Sequence, residues 1–182
     1  KRKGDRVANS IFGVVLLLFS YNQLFNCAYW SAYEGSYIEH MSFTNFIPWV
    51  SYGPLLYIYL KRVLKKSPFT WRDMRHAIPL VWVFFVFGSF YFLPIELKQQ
   101  IDSTNTYAEY VNWWPIPRQY MVDVVTLLML VYVVKIYFLY KKEKSRVTER
   151  QRIWIKSLWM CFTGYALVFF TYFMLANLRL MT

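Results

Sequence analysis

Three amide side chains lie in the second half of a long apolar segment near the start of the sequence. Residues 18–30 read LFSYNQLFNCAYW and belong to a run, 7–33, that contains no charged residue. At 100° per residue, Asn22, Gln23 and Asn26 occupy one arc of about 100° on a helix. Amides on one helical face can bind a ligand, or they can hold neighbouring helices together. Both interpretations stay open at this point.

Three further polar residues lie in later apolar segments, at a similar depth. Asp123 and Thr126 are one helical turn apart, and Thr171 follows near the end of the chain. An unpaired carboxylate is costly in lipid, so Asp123 favours a functional role or a specific partner. With the three amides, these residues form a hypothetical polar layer that would bind a small ligand or an extracytoplasmic peptide. The alternative is interhelical hydrogen bonding, which stabilises packing by roughly 0.5–2 kcal/mol per bond.

The composition predicts that these side chains are positioned by membrane-spanning helices. Hydrophobic residues make up 57% of the 182 residues, aromatic residues 22% and charged residues only 17%. A helix needs about 20 mostly apolar residues to cross the hydrocarbon core. Five segments meet that requirement, and they predict an all-α, polytopic helical membrane bundle in a single domain over 1–182. The predicted spans are 7–30, 41–60, 77–95, 119–140 and 157–178.

The basic residues predict the orientation of this bundle in the lipid bilayer. The net charge of +11 would suit a nucleic-acid binder, but segments 1–6, 61–75 and 141–156 carry four, six and seven of the 21 lysines and arginines. The positive-inside rule makes these three segments cytoplasmic. We expect membrane-interface anchors on both sides of the bilayer. They are Lys61, Arg62, Lys141 and Lys142 on the inner side, and Trp30, Trp113 and Trp114 on the outer side.

Motifs that would indicate an enzyme are missing from the sequence. It contains no glycine-rich phosphate loop, no paired-cysteine motif, no HExxH motif and no GxSxG motif. The two histidines, His40 and His76, fall on opposite sides of the membrane in the predicted topology, so they cannot share a metal or haem. The sequence therefore predicts no catalytic residue, no cofactor and no metal site.

Several segments together resemble a known family. They are GDRVANSIFGVVLLLFSYNQLFNCAYW, FIPWVSYGPLLYIYLKRVL, FTWRDMRHAIPL and ERQRIWIKSLW, and within them YGPL (52–55) precedes Lys61 and Arg62, and His76 precedes Pro79. They resemble the N-terminal membrane module of membrane-bound AraC-type transcription regulators of Bacteroidota. The resemblance implies a seven-helix module in the bacterial inner membrane, followed by a cytoplasmic helix-turn-helix domain.

This chain departs from the family pattern in two respects: it has five predicted spans rather than seven, and it has no helix-turn-helix segment. The resemblance therefore implies a further helix at each end. It also assigns any contact with nucleic acid to a domain that is absent from this chain.

Three functions are compatible with the sequence. The leading hypothesis is a sensor module that relays a signal from the outer face to a cytoplasmic DNA-binding domain, and so regulates transcription. The second is a non-catalytic accessory or structural subunit, held by other subunits of an inner-membrane complex. The third is a small transporter, in which Pro48 and Pro54 would interrupt a helix and Asp123 would couple transport to an ion.

Overall fold

The fold is all-α, as predicted. The computed structural model describes residues 5–31, 41–104, 106, 109–111, 116 and 120–177. No β-strand occurs within these ranges. A 3₁₀ helix, Trp71–Ala77, leads directly into the third α-helix, and a shorter one, Lys144–Arg146, follows the fifth. In chain order the α-helices are α1 (Arg6–Trp30), α2 (Phe46–Lys65), α3 (Ile78–Tyr91), α4 (Ile95–Thr104), α5 (Met121–Glu143) and α6 (Glu149–Asn177).

Within the described residues, four helical segments have the length and apolar composition needed to cross a membrane. They coincide with the predicted spans at 7–30, 77–95, 119–140 and 157–178, and α6 begins several residues before the predicted span. The chain therefore has the character of a helical membrane protein with four candidate spans. These segments are Arg6–Trp30, Trp71–Tyr91, Met121–Arg146 and Glu149–Phe173.

The predicted span at 41–60 falls on α2, which is not one of these four segments. α2 mixes apolar residues with tyrosines, prolines, Lys61 and Arg62, and 12 of its 20 residues are buried. In α1, only three of 25 residues are buried. α2 packs against α1 and α5, and α5 packs in turn against α6. Since its neighbours cover it, α2 is the central helix of the bundle and can be less apolar than they are.

Local contacts and backbone conformation define the start of α1 and the end of α2 on the basic side of the bundle. Asp5 caps α1, because its Oδ1 accepts hydrogen bonds from the backbone N–H groups of Val7 (3.0 Å) and Ala8 (3.2 Å). Its other oxygen, Oδ2, lies 2.6 Å from Nε of Arg62 in α2. α2 ends where Lys66 takes a left-handed conformation, with φ 51°. The start of α1 is thereby tied to the end of α2.

The middle of α2 approaches α5 very closely. A Cβ atom added at Gly53 would lie 2.7 Å from the Cβ, Cγ and Cδ2 atoms of Tyr132 in α5. Only glycine permits this approach. The next residue, Pro54, has no N–H group, so the carbonyl of Val50 loses its usual partner within the helix. α2 nevertheless continues without a break from Phe46 to Lys65.

Part of the segment between the third and fourth predicted spans is helical. Within it, Ile95–Thr104 forms α4. Lys98 on α4 is only 1% exposed, and its Nζ donates a hydrogen bond to the Tyr91 carbonyl at 3.0 Å. Nζ also lies 5.4 Å from the centre of the Phe90 ring. Trp113 and Trp114, the predicted outer anchors, lie outside the described residues.

Candidate functional site

An open cavity of about 850 Å³ lies where α1 ends and α2 begins. In the predicted topology this is the outer side of the bundle, and we call it the outer cavity. Residues from α1, α5, α6 and the segment 42–49 line it. A volume of this size falls within the range of small-molecule sites, roughly 300–1,000 Å³. The described lining residues are Asn22, Gln23, Phe25, Asn26, Tyr29, Trp30, Ser42, Phe43, Asn45, Phe46, Trp49, Met121, Val122, Tyr165, Val168, Phe169, Tyr172 and Phe173.

Aromatic rings from α2 and α6 form a fixed wall of the outer cavity. The Trp49 ring packs edge-on against Phe46 at 5.2 Å and against Phe169 at 4.8 Å, measured between ring centres. Phe173 lies 6.2 Å from the same ring. Edge-to-face pairs at these distances are favourable geometries for aromatic side chains. The Trp49 indole is therefore held in one orientation by rings on either side.

Two buried polar atoms of residues that line the cavity have no hydrogen-bond partner among the described residues. One is Oδ1 of Asn22, whose residue is 2% exposed, and the other is Nε1 of Trp49, whose residue is 7% exposed. An unpaired buried polar group costs about 1–3 kcal/mol, and so such groups are rare unless a ligand or water satisfies them. One acceptor and one donor of residues beside the cavity are therefore buried and unpaired.

The segment before α2 also reaches the cavity, and its backbone is strained. Phe43 has φ 63°, a conformation that costs a bulky L-residue of the order of 1–3 kcal/mol. It is held there by the Phe87 ring at 4.8 Å and by the Tyr91 hydroxyl, which donates to the Phe43 carbonyl at 3.1 Å. The hydroxyls of Tyr21 and Thr44 also share a hydrogen bond. These contacts hold the segment that carries Ser42 and Asn45 into the cavity wall.

The three amides of the predicted polar layer all line the outer cavity. Asn22 is buried, Asn26 one turn later is half-buried, and Gln23 is exposed. The sequence did not predict a role for Ser42, Asn45 or the ring of Trp49, which also line the cavity. Ser42 and Asn45 are polar residues at the outer end of an apolar segment, which is a weak signal, and a tryptophan in a span gives no sign of which way its N–H points.

The other three residues of the predicted layer do not line the outer cavity. Asp123 is half-buried in the first turn of α5, where a carboxylate interacts favourably with the helix dipole. Thr126 is buried, but its hydroxyl donates to the Val122 carbonyl of its own helix at 2.7 Å. Thr171 is exposed on α6. These three residues share their predicted membrane depth with the amides, but they lie on helical faces that do not line the cavity.

The predicted anchors that the structure describes lie at the two ends of the bundle. Trp30 ends α1, is 74% exposed and contributes to the rim of the outer cavity. Lys61 and Arg62 are half-buried, in ion pairs with Asp73 and Asp5 at 2.6 Å each. Lys141 and Lys142, near the end of α5, are both exposed.

One ridge of α2 connects the outer cavity to the basic side of the bundle. Residues four apart form a ridge on a helix surface. Trp49 starts this ridge in the cavity wall, and one turn on Gly53 contacts Tyr132. Tyr57, a further turn on, packs against His76 with ring centres 4.9 Å apart and the rings tilted by 51°. Nδ1 of His76 is 2.6 Å from the hydroxyl of Tyr132, so α2, α5 and the 3₁₀ helix meet at this point.

The same ridge ends in ion pairs on the basic side. Lys61 pairs with Asp73 of the 3₁₀ helix. Nζ of Lys65 lies 3.9 Å from Oε1 of Glu143 at the end of α5, and Arg146 approaches the other oxygen at 2.9 Å. The carboxylate of Glu143 is 4% exposed, so it is a buried anion between two cations. α2 is therefore attached to its neighbours from the cavity to the basic end.

Within the described ranges, the structure contains no group of three or more His, Cys, Asp or Glu side chains that could hold a metal ion. Comparisons with protein-family models, with curated proteins and with solved structures returned no match to this chain.

Proposed function

We propose that the chain is the sensor module of a membrane-bound regulator, which binds a small ligand in the outer cavity and relays binding to the basic side. The observation that carries this proposal is the outer cavity of about 850 Å³, which Asn22, Gln23 and Asn26 of α1 line together with the rings of Trp49 and Phe169. A cavity of this size with a few polar groups among aromatic rings is typical of small-molecule sites.

The ridge of α2 supplies a route for the signal. Trp49 belongs to the cavity wall, while Lys65 on the same ridge reaches Glu143 on the basic side. A ligand that contacts Trp49 favours the packing of α2 that best fits the ligand, and a shift in that packing moves both ends of the helix. Shifts of packed helices by about 1–2 Å are a common form of such transitions.

The proposed readout follows from the resemblance. A cytoplasmic helix-turn-helix domain, absent from this chain, would receive the signal and bind DNA. This arrangement requires a bacterial inner-membrane location with segments 1–6, 61–75 and 141–156 in the cytoplasm. In support, the exposed Lys141 and Lys142 and the paired Lys61 and Arg62 lie at the end of the bundle opposite the cavity. We also propose that α2 crosses the membrane as a fifth span within a seven-helix module, shielded from lipid by its neighbours.

The transporter hypothesis receives less support. A transporter needs a route from the cavity to the other side, and the cavity sits above the tight contact between Gly53 and Tyr132. Asp123, its proposed coupling group, does not line the cavity. An accessory subunit would need no ligand cavity, and a stable complex recovered in mild detergent would favour that function.

The relay can be tested without knowing the ligand. In a chain carrying Cys27→Ser and Cys161→Ser, spin labels at Lys66→Cys and Lys142→Cys report the distance between the basic ends of α2 and α5 in nanodiscs. Asn26→Trp fills part of the outer cavity and should shift or broaden this distance distribution. Leu24→Trp is the matched control, because Leu24 is 69% exposed on α1 and does not line the cavity. An unchanged distribution in Asn26→Trp would contradict the relay.

A further inference from the structure

The outer cavity reaches the side of the bundle as well as its outer end. We infer that its ligand is a membrane-dissolved amphiphile, with an apolar chain and a hydrogen-bonding group such as a hydroxyl, which enters sideways from the outer leaflet between α1 and α6. The inference deepens the proposed sensing function and rests on it.

The sideways opening is marked by residues that line the cavity and are also exposed. Val168 of α6 lines the cavity and is 72% exposed. It precedes the end of the candidate span Glu149–Phe173 by about 8 Å, at 1.5 Å per residue. Gln23, well inside α1, lines the cavity and is exposed too. Exposed side chains within membrane spans face lipid, so the cavity is continuous with the outer leaflet.

Aromatic contacts join α1 to α6 below this level. The rings of Phe12 and Trp154 have centres 5.8 Å apart, and those of Phe19 and Tyr165 have centres 6.4 Å apart. From Asn22 onward, α1 contributes residues to the cavity wall, and α6 does so from Tyr165 onward. The two helices are therefore in contact in their inner halves and border the cavity in their outer halves.

The amides of Gln23 and Asn26 determine where the polar group of the ligand binds. Both side chains line the cavity, and neither is buried. They lie about 10 and 6 Å along α1 from Trp30, the predicted interface anchor. Lipid chains offer no hydrogen-bond partner at that depth, so a polar ligand supplies what hydrocarbon cannot. An amide both donates and accepts hydrogen bonds, and so does a hydroxyl.

The apolar part of the ligand packs against the aromatic wall. Trp49 is held between Phe46 and Phe169, with ring centres 5.2 and 4.8 Å away. An apolar chain that leaves lipid for protein gains no hydrophobic free energy, so its binding depends on close packing and hydrogen bonds. Rings that are already fixed lose little conformational entropy when the chain packs against them.

Photolabelling tests the route into the cavity. Hexadecanol with a diazirine in mid-chain is dissolved in the lipid of nanodiscs that contain the chain, and a short water-soluble diazirine is added to a parallel sample. After irradiation, peptide mapping by mass spectrometry locates the adducts. The lipid-dissolved probe should label Trp49 and Phe169, which line the cavity, and the water-soluble probe should leave both unlabelled. Lipid-probe adducts confined to exposed residues such as Leu17, or labelling of Trp49 from water, would overturn the inference.

Unlabelled competitors test the polar group. Hexadecanol should suppress the Trp49 adduct at a membrane concentration about five- to tenfold lower than hexadecane, because only the alcohol can bond the amides. Gln23→Leu combined with Asn26→Leu should remove this difference. Thr171→Val is the matched control, since Thr171 is exposed on α6 and does not line the cavity, and it should keep the difference. Equal competition by the two molecules in the wild type would also overturn the inference.

The two proposals fail separately. The spin-label experiment contains no added probe, so a shifted distance in Asn26→Trp without any lipid-probe adduct on Trp49 would retain the relay and reject the membrane-dissolved ligand. The reverse result, an adduct on Trp49 that hexadecanol suppresses but no distance change in Asn26→Trp, would retain the site and reject the relay.

Discussion

Gly53 of α2 lies against Tyr132 of α5 so closely that a methyl group at position 53 would come within 2.7 Å of the tyrosine ring. Tyr132 is itself fixed, because its hydroxyl is 2.6 Å from Nδ1 of His76 and Nζ of Lys135 lies 5.1 Å from its ring centre. The ring cannot move away without breaking these contacts. This pair therefore sets the distance between α2 and α5.

Gly53→Ala should destabilise the bundle by about 1–3 kcal/mol, because the added methyl group forces α2 and α5 apart. The thermal unfolding midpoint of the purified protein in detergent measures this loss. Gly88→Ala is the matched control, since a Cβ at Gly88 of α3 would meet nothing within 4 Å. That control should leave stability unchanged or raise it slightly, since alanine favours a helix. Equal losses in the two variants would show that the close contact is unimportant.

Tyr132→Phe should reduce the free energy of unfolding by about 0.5–1.5 kcal/mol, because it removes the hydrogen bond to His76 and keeps the ring. A double-mutant cycle with His76→Gln measures the coupling, which should be of similar size. Tyr137→Phe serves as the control, because Tyr137 is 42% exposed. Strict additivity of Tyr132→Phe and His76→Gln would contradict the bond.

Asp5 should make stability fall in acid. The hydrogen bond from Arg62 holds the pKa of the Asp5 carboxyl below its ordinary value, helped by the backbone N–H groups of Ala8 and Val7. The stabilising effect is therefore fully present above the unfolded pKa and is lost as the pH falls through the folded pKa. From about pH 5 to pH 2, the unfolding midpoint of the wild type should fall more steeply than that of Asp5→Asn. Identical slopes would rule out this contribution.

Lys98 should make stability rise in alkali. Burial lowers the pKa of the Lys98 ammonium in the folded protein, so the unfolded chain binds the proton more tightly. Stability therefore increases as the pH rises from the folded pKa toward the ordinary lysine value near 10.4. The unfolding midpoint of the wild type should rise relative to that of Lys98→Met as the pH is raised toward about 10.4. A constant difference between the two proteins across that range would refute the effect.

The strongest parts of the fold could be predicted from the sequence. The charge-free run at 7–33 predicted a helix at 7–30, and α1 spans Arg6–Trp30 because its apolar length leaves no alternative in lipid. The central position of α2 in the bundle was harder to predict from the sequence. Its tyrosines, prolines and basic end reflect a central position, which depends on how α1, α3, α5 and the 3₁₀ helix pack against it.

The cavity shows the same limit at the level of single residues. The spacing of Asn22, Gln23 and Asn26 placed them on one arc, and all three line the cavity. Asp123 and Thr126 lie at a similar predicted depth and are also one helical turn apart, yet neither of them lines the cavity. Helix rotation decides between these outcomes, and it is set by contacts such as the one at Gly53, which no local pattern reveals.

Because of Pro54, the backbone hydrogen bonds in the two halves of α2 should differ in how easily they open. Since the proline has no N–H, the hydrogen-bond ladder is already interrupted between the outer turns, which carry Trp49, and the inner turns, which carry Lys61. The outer turns can therefore open without breaking the inner ladder, and their amides should exchange with deuterium sooner. A molecule bound against Trp49 would slow that exchange. Protection of the backbone amides in the first two turns of α2 would therefore report that the cavity is occupied.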